Sequence, residues 1–497
     1  MTPTVLDVGT PGPDADVEEV SALADGVLMP CFDGVTAPEW LLRRVSGSLG
    51  GVCLFSRNIG TSEQVLALTT ALRDARADIV IAIDEEAGDV TRLDAATGSR
   101  FPGAAALGRA DDISLTEEIG YQVGDLLADL GITLNFAPSA DVAVDPGNPV
   151  IGTRAFGDDP QLVARHTAAF IAGHQATGTH ACVKHFPGHG DTAVDTHVSV
   201  AVVTADRPGL EAVALPPFRA AIGQGVHAVM AGHLIAPAVD ELPASISHRW
   251  LTDILRGEMG FTGVVVTDAL EMGAIRRTYG VAGGAVLALA AGADLLCLGG
   301  EDAGEQMLDE TRDAIVAAVH RGDLDIDRLR DAASRVRTLS VASSLPGGRT
   351  TVTDAATRVA AAALEIAGPL PAAVHPVLVV RCDEATNLAV GTIPWGLAAA
   401  ADDAVREIAV RSGDPLPADD ISSAGTVLVL TRDRHQHPWM TGAADDIRRL
   451  RPSAVLIEMG NAGIDTAMAP AIASHGATMA NAGAVLAALG LADPSQS

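Results

Sequence analysis

The segment THACVKHFPGHGDTAVDTH, residues 179–197, is the stretch from which the fold class can be inferred. Residues 179–183 form an apolar run typical of a short buried strand, and residues 184–197 carry six ionisable side chains around a Phe-Pro-Gly turn. Proline and glycine disfavour a regular helix or strand, which predicts a loop at residues 184–197. Ionisable groups on a loop that follows a buried strand are typical of α/β enzymes.

Three roles remain open for this loop when it is considered alone. Asp195 and His197 are two residues apart, so the carboxylate can hold one ring nitrogen while the other serves as acid and base, with Lys184 and His185 as substrate donors. The second role is a zinc site, although no helical His-x-x-x-His pair or Cys pair supports one. The third, a polar surface loop, is disfavoured because six ionisable residues share one turn.

Strand-like and helix-like stretches alternate through the first two thirds of the chain. Helix-like stretches include residues 62–76, 115–130 and 161–177. The strand-like apolar runs are residues 26–32, 51–55, 79–83, 132–136, 179–183, 228–231, 263–267 and 293–298. Eight strand–helix units are the number that a (β/α)8 barrel of the TIM type needs, so we predict this fold.

Charged and polar residues follow several of the predicted strands. These residues are Asp84, Glu85, Glu86, Arg92, Asp141, Arg154, Lys184, His185, His233 and Asp268. Taken alone, Asp268 is also a fair helix N-cap. Charges next to buried strands are costly unless they are paired or used, and barrel enzymes collect such residues on one face. The pattern therefore predicts an active site lined by carboxylates and cations.

Asp268 and the loop at residues 184–197 indicate the chemistry. A carboxylate fixed at a strand end is a good nucleophile toward an anomeric carbon, and a second group must protonate the leaving oxygen. His197, held by Asp195, fits the second role. The remaining polar residues would bind sugar hydroxyls; they are Asp84, Arg92, Arg154, Lys184 and His185.

Composition and charge exclude several classes of protein. The 497 residues are 48% hydrophobic and only 3% aromatic, and 33 Lys+Arg against 63 Asp+Glu give a formal charge of −30. Such a surface repels nucleic acid and anionic membranes, so we expect a small-molecule substrate and neither of those partners. Cys31, Cys53, Cys182, Cys297 and Cys382 are far apart and predict buried thiols. The acidic N-terminus lacks the features of a signal peptide, which predicts a cytoplasmic location.

The chain divides into four predicted segments. Residues 1–16 are expected to be disordered, residues 17–342 to form the barrel, and residues 343–354, which contain SSLPGGRT, to be a linker. Residues 355–497 predict a smaller α/β domain with a mainly parallel sheet, from strand-like runs at 377–380, 426–430 and 454–459. TRDRHQH, residues 431–437, is interpreted as a polar loop after a strand.

The chain resembles glycoside hydrolase family 3, in its bacterial β-N-acetylglucosaminidase branch with two domains. The motifs occur in family order, and the Asp-x-His ending of the third one is absent from the family's β-glucosidases. The motifs are IDEEAGDVTRL (83–93), NPVIGTRAFG (148–157), KHFPGHGDTAVDTH (184–197), MAGHLIAPAVD (230–240) and LRGEMGFTGVVVTDALEM (255–272).

This resemblance implies a retaining two-step hydrolysis that uses neither metal nor cofactor. Asp268 would be the nucleophile, and His197 the general acid/base with Asp195 as its partner. The same five polar residues would bind the N-acetylglucosamine unit. The resemblance further implies terminal N-acetylglucosamine on cell-wall (peptidoglycan) fragments as the substrate.

The chain departs from the family pattern at two positions, of which the second is common variation, and three alternatives stay open. Asp89 stands where the family pattern D-Q-E-G-G-R-V has arginine, and Ala269 stands where a second aspartate is common. The alternatives are a phosphorylase, because a histidine repels phosphate less than a carboxylate does, a β-glucosidase or β-xylosidase, and an inactive sugar-binding protein. Since the barrel carries its own Asp-x-His pair, the second domain is expected to be structural or an assembly surface, and the oligomeric state stays open.

Overall fold

The structure is a computed structural model that describes most of the chain. The described residues are 16–192, 201–300, 304–342, 353–384, 391, 393–397, 400–401, 405–464 and 466–492. The predicted acid/base pair Asp195 and His197, nearly all of the predicted disordered N-terminus and most of the predicted linker lie outside these residues.

Eight parallel strands form the barrel that the sequence predicted. Six of them pair in the order β2-β3-β4-β5-β7-β9, and β1 pairs with β10. A bridge from Val266 to Leu295 connects β9 to β10, and β1 lies beside β2, so the ring closes. The strands are β1 (Leu28–Pro30), β2 (Gly51–Leu54), β3 (Val80–Ile83), β4 (Leu134–Asn135), β5 (His180–Phe186), β7 (Ala228–Ala231), β9 (Val264–Thr267) and β10 (Leu296–Leu298). A short outer pair is formed by β6 (Ala201–Val202) and β8 (Leu234–Ile235).

Helices surround the barrel, and several begin at side-chain caps. Thr61, Asp112 and Asp159 accept hydrogen bonds from the first free backbone N–H groups of their helices. The helices are α1 (Val17–Asp25), α2 (Glu39–Val45), α3 (Ser62–Ala75), α4 (Ala104–Ala110), α5 (Ile113–Asp129), α6 (Pro160–Gln175), α7 (Arg207–Gly209), α8 (Pro216–Gly223), α9 (Gly273–Tyr279), α10 (Val281–Ala291), α11 (Glu305–Arg321) and α12 (Ile326–Ala342). Two π-helical stretches follow α7 and α8 in the chain, at Leu210–Ala214 and Arg249–Glu258.

The strand that precedes the key loop is longer than the sequence predicted. The predicted loop began at Lys184, but β5 continues through Phe186 because Phe186 still pairs with Ala231 of β7. The pairing register shifts between Val183 and Phe186. The strand ends where Pro187 removes a backbone donor. Lys184 and His185 therefore lie on a rigid strand end and not on a loop.

The core consists of two concentric layers. The barrel interior holds strand side chains such as Met29, Phe136, Met230 and Val266, all buried. A larger apolar layer lies between the strands and the surrounding helices. All five cysteines are buried free thiols.

The second domain is a smaller α/β unit with a mainly parallel sheet, as predicted. Its strand order is β11-β16-β15-β14-β12-β13, and β11 alone in this sheet runs antiparallel to its neighbour. The strands are β11 (Glu365–Ala367), β12 (Val377–Cys382), β13 (Val405–Val410), β14 (Thr426–Thr431), β15 (Val455–Glu458) and β16 (Ala471–Ala473). The helices of this part are α13 (Ala355–Ala363), α14 (Ala418–Ser423), α15 (Pro438–Leu450) and α16 (Met479–Ala488).

The two units meet through both apolar and charged contacts. α13 packs on α4, and Ala355, Val359 and Ala363 belong to the apolar layer around the barrel. Arg109 of α4 forms an ion pair with Glu365 of β11 at 2.7 Å. In the described part of the chain, no helix is long and apolar enough to cross a bilayer.

Candidate active site

A cavity of about 610 Å³ opens at the carboxyl ends of the barrel strands. Its walls come from the loops after β2, β3, β4, β5, β9 and β10, and Gly391 of the second domain contributes to the rim. The lining residues that carry ionisable side chains are Arg57, Asp84, Glu86, Arg92, Arg154, Lys184, His185, His189, Asp268, Glu271, Arg276 and Cys297.

The structure brings together all six predicted site residues that it describes. Three lie at or directly after strand ends: Asp84 after β3, Lys184 on β5 and Asp268 after β9. The other three are His185 on β5, Arg92 in the loop after β3, and Arg154 in the short turn Gly152–Arg154 after β4. Their convergence follows from the barrel, which places the ends of parallel strands around one mouth.

Lys184 is held by two carboxylates. Its Nζ atom lies 2.6 Å from Asp84 Oδ1 and 2.6 Å from Glu86 Oε1. Burial alone would lower the pKa of Lys184, but these carboxylates raise it above its usual value, so the ammonium stays charged. Burial would raise the pKa of Asp84, yet Lys184 and Arg92 hold that pKa below its usual value. The group is a buried, mutually neutralised set of charges.

Arg154 completes this set of charges through a bidentate ion pair with Glu86. Its Nη2 and Nε atoms lie 2.7 and 2.9 Å from the two Glu86 oxygens, and Nη1 donates to the Val150 carbonyl at 3.2 Å. Two parallel bonds fix the plane of the guanidinium. Against the effect of burial, Arg154 and Lys184 hold the pKa of Glu86 far below its usual range. Glu86 was expected only as one of several strand-end charges, and the structure makes it the shared counter-ion of both cations.

His185 is oriented by Asp141. His185 Nδ1 lies 2.7 Å from Asp141 Oδ2, and Asp141 also accepts hydrogen bonds from Ser139 Oγ at 2.9 Å and from the His189 backbone N–H at 2.6 Å. Burial would raise the pKa of Asp141, but His185 and the other donors hold that pKa well below its usual range. The proton therefore lies on Nδ1 of His185, and Nε2, which is 3.4 Å from Arg154 Nη2, faces the cavity.

Asp268 is half-buried at the end of β9, with its carboxylate anchored from one side. Its Oδ1 accepts a hydrogen bond from the Ala269 N–H at 2.8 Å, and its own N–H donates to the Ala231 carbonyl at 3.0 Å. His233, predicted at the end of the preceding strand, contacts the Ala269 carbonyl through Nε2 at 2.9 Å and Ser245 Oγ through Nδ1 at 2.7 Å. His233 therefore supports the turn that presents Asp268.

The loop after β3 is fixed from beneath by Glu85. This buried carboxylate accepts hydrogen bonds from the backbone N–H groups of Arg92 and Leu93, both at 3.0 Å. Asn135 at the end of β4 bonds to both backbone groups of Glu85, at 2.8 and 3.0 Å. Burial raises the pKa of Glu85 to about 7. Its role was not identified from sequence, although strand alternation alone places Glu85 on the opposite side from Asp84 and Glu86.

The described start of the loop after β5 is also held in place. The Asn148 amide donates to the His189 carbonyl at 2.8 Å, and Thr192 Oγ1 lies 2.8 Å from His189 Nδ1. Burial lowers the pKa of His189 to about 4, so this imidazole is neutral at pH 7. Gly190 is required by close packing, because a Cβ atom there would lie 1.7 Å from the Val142 carbonyl oxygen.

Among the residues that the structure describes, no group of three or more His, Cys, Asp or Glu side chains is arranged to hold a metal ion.

A half-buried aspartate in the same cavity as ion-paired cations, at the mouth of a (β/α)8 barrel, fits the nucleophile and sugar-binding groups of a glycoside hydrolase. Residues 36–339, more than half of the chain, match the family described as "Glycosyl hydrolase family 3 N terminal domain". The chain belongs to glycoside hydrolase family 3.

Named relatives and solved structures agree with this assignment. The chain is 39% identical over 265 residues to a β-hexosaminidase of Xylella fastidiosa (strain 9a5c), covering 52% of this chain and 77% of the relative. It is 38% identical over 282 residues to a β-hexosaminidase of Nitrosomonas eutropha, covering 55% and 80%. A glycoside hydrolase family 3 β-N-acetylglucosaminidase from Paenibacillus sp. str. FPU-7 superimposes with a TM-score of 0.84 at 31% identity, covering 95% of this chain and 97% of that chain.

Proposed function

We propose that the protein is a retaining exo-β-N-acetylglucosaminidase. The observation that carries the proposal is Asp268 at the end of β9, facing the same cavity as Asp84, Lys184 and Arg154. Relatives named β-hexosaminidase and a similar structure named β-N-acetylglucosaminidase support the choice of sugar. The family resemblance supports terminal N-acetylglucosamine on cell-wall fragments as the substrate.

Asp268 acts as the nucleophile in the first step of the proposed reaction. One carboxylate oxygen forms a bond to the anomeric carbon while the bond from that carbon to the leaving oxygen breaks. The Ala269 N–H holds Oδ1 and keeps the carboxylate in one orientation. A nucleophile that is already oriented lowers the barrier, because little further orientational freedom has to be lost on reaching the transition state.

His197 is the proposed acid and base, with Asp195 as its partner. In the first step it gives its proton to the leaving oxygen. In the second step it takes a proton from water, the water oxygen bonds to the anomeric carbon, and the bond to Asp268 breaks. This assignment rests on the Asp-x-His motif and the family resemblance, since both residues lie outside the described part of the chain.

The ion-paired residues form the proposed sugar-binding wall. Asp84 accepts hydrogen bonds from hydroxyl groups, while Lys184 and Arg154 donate to them. Glu86, at 2.6 and 2.7 Å from Lys184 and Arg154, and Asp84, at 2.6 Å from Lys184, together balance these two cations, so a neutral sugar meets fixed dipoles without a large net charge. Sites of this kind recognise hydroxyl positions because each buried donor or acceptor left unmatched weakens binding.

The proposal is tested by nitrophenol release from aryl β-glycosides of N-acetylglucosamine, glucose and xylose, with and without EDTA and phosphate. We expect preference for the N-acetylglucosaminide and free N-acetylglucosamine as the product. Asp268→Ala should remove turnover without loss of folding. Sugar 1-phosphate as the product would show that the protein is a phosphorylase. Preference for the glucoside or xyloside would contradict N-acetylglucosamine as the sugar that the enzyme cleaves. Binding without turnover would indicate a sugar-binding protein.

The acid/base assignment has its own test. His197→Ala should slow substrates with poor leaving groups by about 10²-fold or more, and activated aryl glycosides far less, because the latter need little protonation. His248→Ala removes a histidine whose side chain is 64% exposed and serves as the matched control. Equal losses on both kinds of substrate would contradict the role of His197.

A further inference from the structure

One carboxylate of the barrel joins three segments of the chain, including the second domain. The side chain of Asp89, in the loop after β3, is only 5% exposed, and its Oδ2 lies 2.8 Å from Arg432 Nη2. The Thr153 hydroxyl donates a hydrogen bond to the same oxygen. Asp89 therefore connects the loop after β3, the turn that holds Arg154, and the second domain.

Arg432 occupies a special position in the second sheet. It directly follows β14, and β12 has β14 on one side and β13 on the other, so the strand order reverses between β12 and β14. In sheets of this kind, ligands bind in the crevice at the carboxyl ends of the two strands where the order reverses. The Arg432 guanidinium lies 5.9 Å from the Trp395 ring centre and forms its ion pair with Asp89. The negatively charged group at this crevice is therefore a carboxylate of the barrel.

The ion pair lies within the sequence segments that bind the proposed sugar. Asp89 falls between Glu86 and Arg92 in the loop after β3, and Thr153 immediately precedes Arg154. A shift of Asp89 would therefore move both cation-bearing segments relative to β5. Arg432 contacts Asp89 and not the cations themselves, so its influence on Arg92 and Arg154 passes through Asp89 and Thr153.

We propose that Arg432 is a positioning residue for the sugar-binding wall, acting through Asp89 and Thr153. The second domain is thereby part of the substrate-binding machinery and not only a structural addition. The inference rests on the proposed function in one respect, the binding of sugar by Arg92 and Arg154. It also explains how Asp89 is accommodated, because its charge is matched by an arginine from the second domain.

Removing one partner of a buried ion pair leaves an uncompensated charge, which is more damaging than removing both. Arg432→Gln leaves the Asp89 carboxylate buried, and the loop after β3 must move to hydrate it. Asp89→Asn keeps an acceptor for Thr153 but leaves Arg432 unpaired. The double variant removes both charges and retains the Thr153 hydrogen bond.

The test measures kcat and KM of the four proteins in this cycle on the aryl glycoside that the unaltered chain hydrolyses best. We expect Arg432→Gln to raise KM about tenfold with kcat within about twofold, the result of lost binding and not of lost chemistry. The double variant should recover most of this loss, and Arg432→Lys part of it. Arg109→Gln is the control, because it removes another ion pair between the two domains at 2.7 Å, one that is more exposed and does not touch the loop after β3. It should lower Tm and leave KM unchanged.

Equal KM values for Arg432→Gln and Arg109→Gln would overturn the inference, as would a double variant whose KM is the product of the two single effects. If Arg432→Gln does not fold, the double variant and Arg432→Lys decide, with KM expected between the unaltered value and tenfold above it. Hydrolysis of another sugar by the unaltered chain would refute the proposed sugar alone. If the chain hydrolyses no glycoside, the same cycle is measured by calorimetric Kd for N-acetylglucosamine.

Discussion

His185 Nδ1 and Asp141 Oδ2 are 2.7 Å apart, both side chains are buried, and His185 lines the cavity. The carboxylate fixes the proton on Nδ1 and directs Nε2 toward Arg154 and the cavity. A single buried aspartate thus sets the hydrogen-bonding character of a predicted substrate contact.

Asp141→Asn is expected to raise KM for the aryl N-acetylglucosaminide about tenfold, because a hydrogen bond to a charged group contributes about 1.5–3 kcal/mol. The amide can present its NH2 group to Nδ1, which forces the proton onto Nε2 and against the Arg154 donor. Steady-state kinetics measures the effect, with the exposed Asp158→Asn as control. An unchanged KM in Asp141→Asn would show that this contact does not set substrate binding.

Glu86→Gln is expected to lower the free energy of unfolding by about 3 kcal/mol, because it leaves Lys184 and Arg154 without their shared buried counter-ion. Urea unfolding measures the loss. Glu39→Gln is the control, since Glu39 pairs with Arg43 at 3.5 Å on the surface. That variant should change stability by less than about 0.5 kcal/mol. Similar losses of unfolding free energy in both variants would contradict the role of Glu86 as the shared counter-ion of Lys184 and Arg154.

Glu85 is expected to make stability pH-dependent. Its pKa is about 7 in the folded protein against an ordinary value of 4.5, so the folded state binds the proton more tightly. The stability from this group is complete below pH 4.5 and is lost as the pH rises through 7, a change of about 3 kcal/mol.

Glu85→Gln should remove this dependence. Urea unfolding of the unaltered chain and of the variant should give a difference in unfolding free energy that shifts in favour of the variant between pH 4.5 and 7.5. Glu117→Gln, on the exposed face of α5, serves as the control. A constant difference across this pH range would mean that Glu85 titrates normally.

The sequence predicted the barrel and most of the site for the same physical reason. Buried parallel strands are short apolar runs, and a charged residue directly after such a run, such as Asp84 or Asp268, must lie at the barrel mouth. The length of β5 was not predicted because Pro187 and the glycines beyond it suggested an earlier end, while pairing with β7 extended the strand through Phe186.

The supporting residues could not be assigned as readily. Asp141 and Glu86 act by contacting side chains from other segments, and sequence does not say which carboxylate meets which partner. Alternation along the extended chain could have separated Glu85 from its two neighbours. The contact of Arg432 with Asp89 depends on how two domains pack, which no local pattern encodes.

The most direct test of the central claim is covalent trapping of the nucleophile. A 5-fluoro-N-acetylglucosaminyl fluoride carries a leaving group that needs no protonation, and its second step is slow, so the glycosyl-enzyme should accumulate. Peptide mass spectrometry after proteolysis should find one added sugar on the peptide that contains Asp268, and none in Asp268→Ala. An adduct on another residue, or continued turnover with no adduct, would contradict the account.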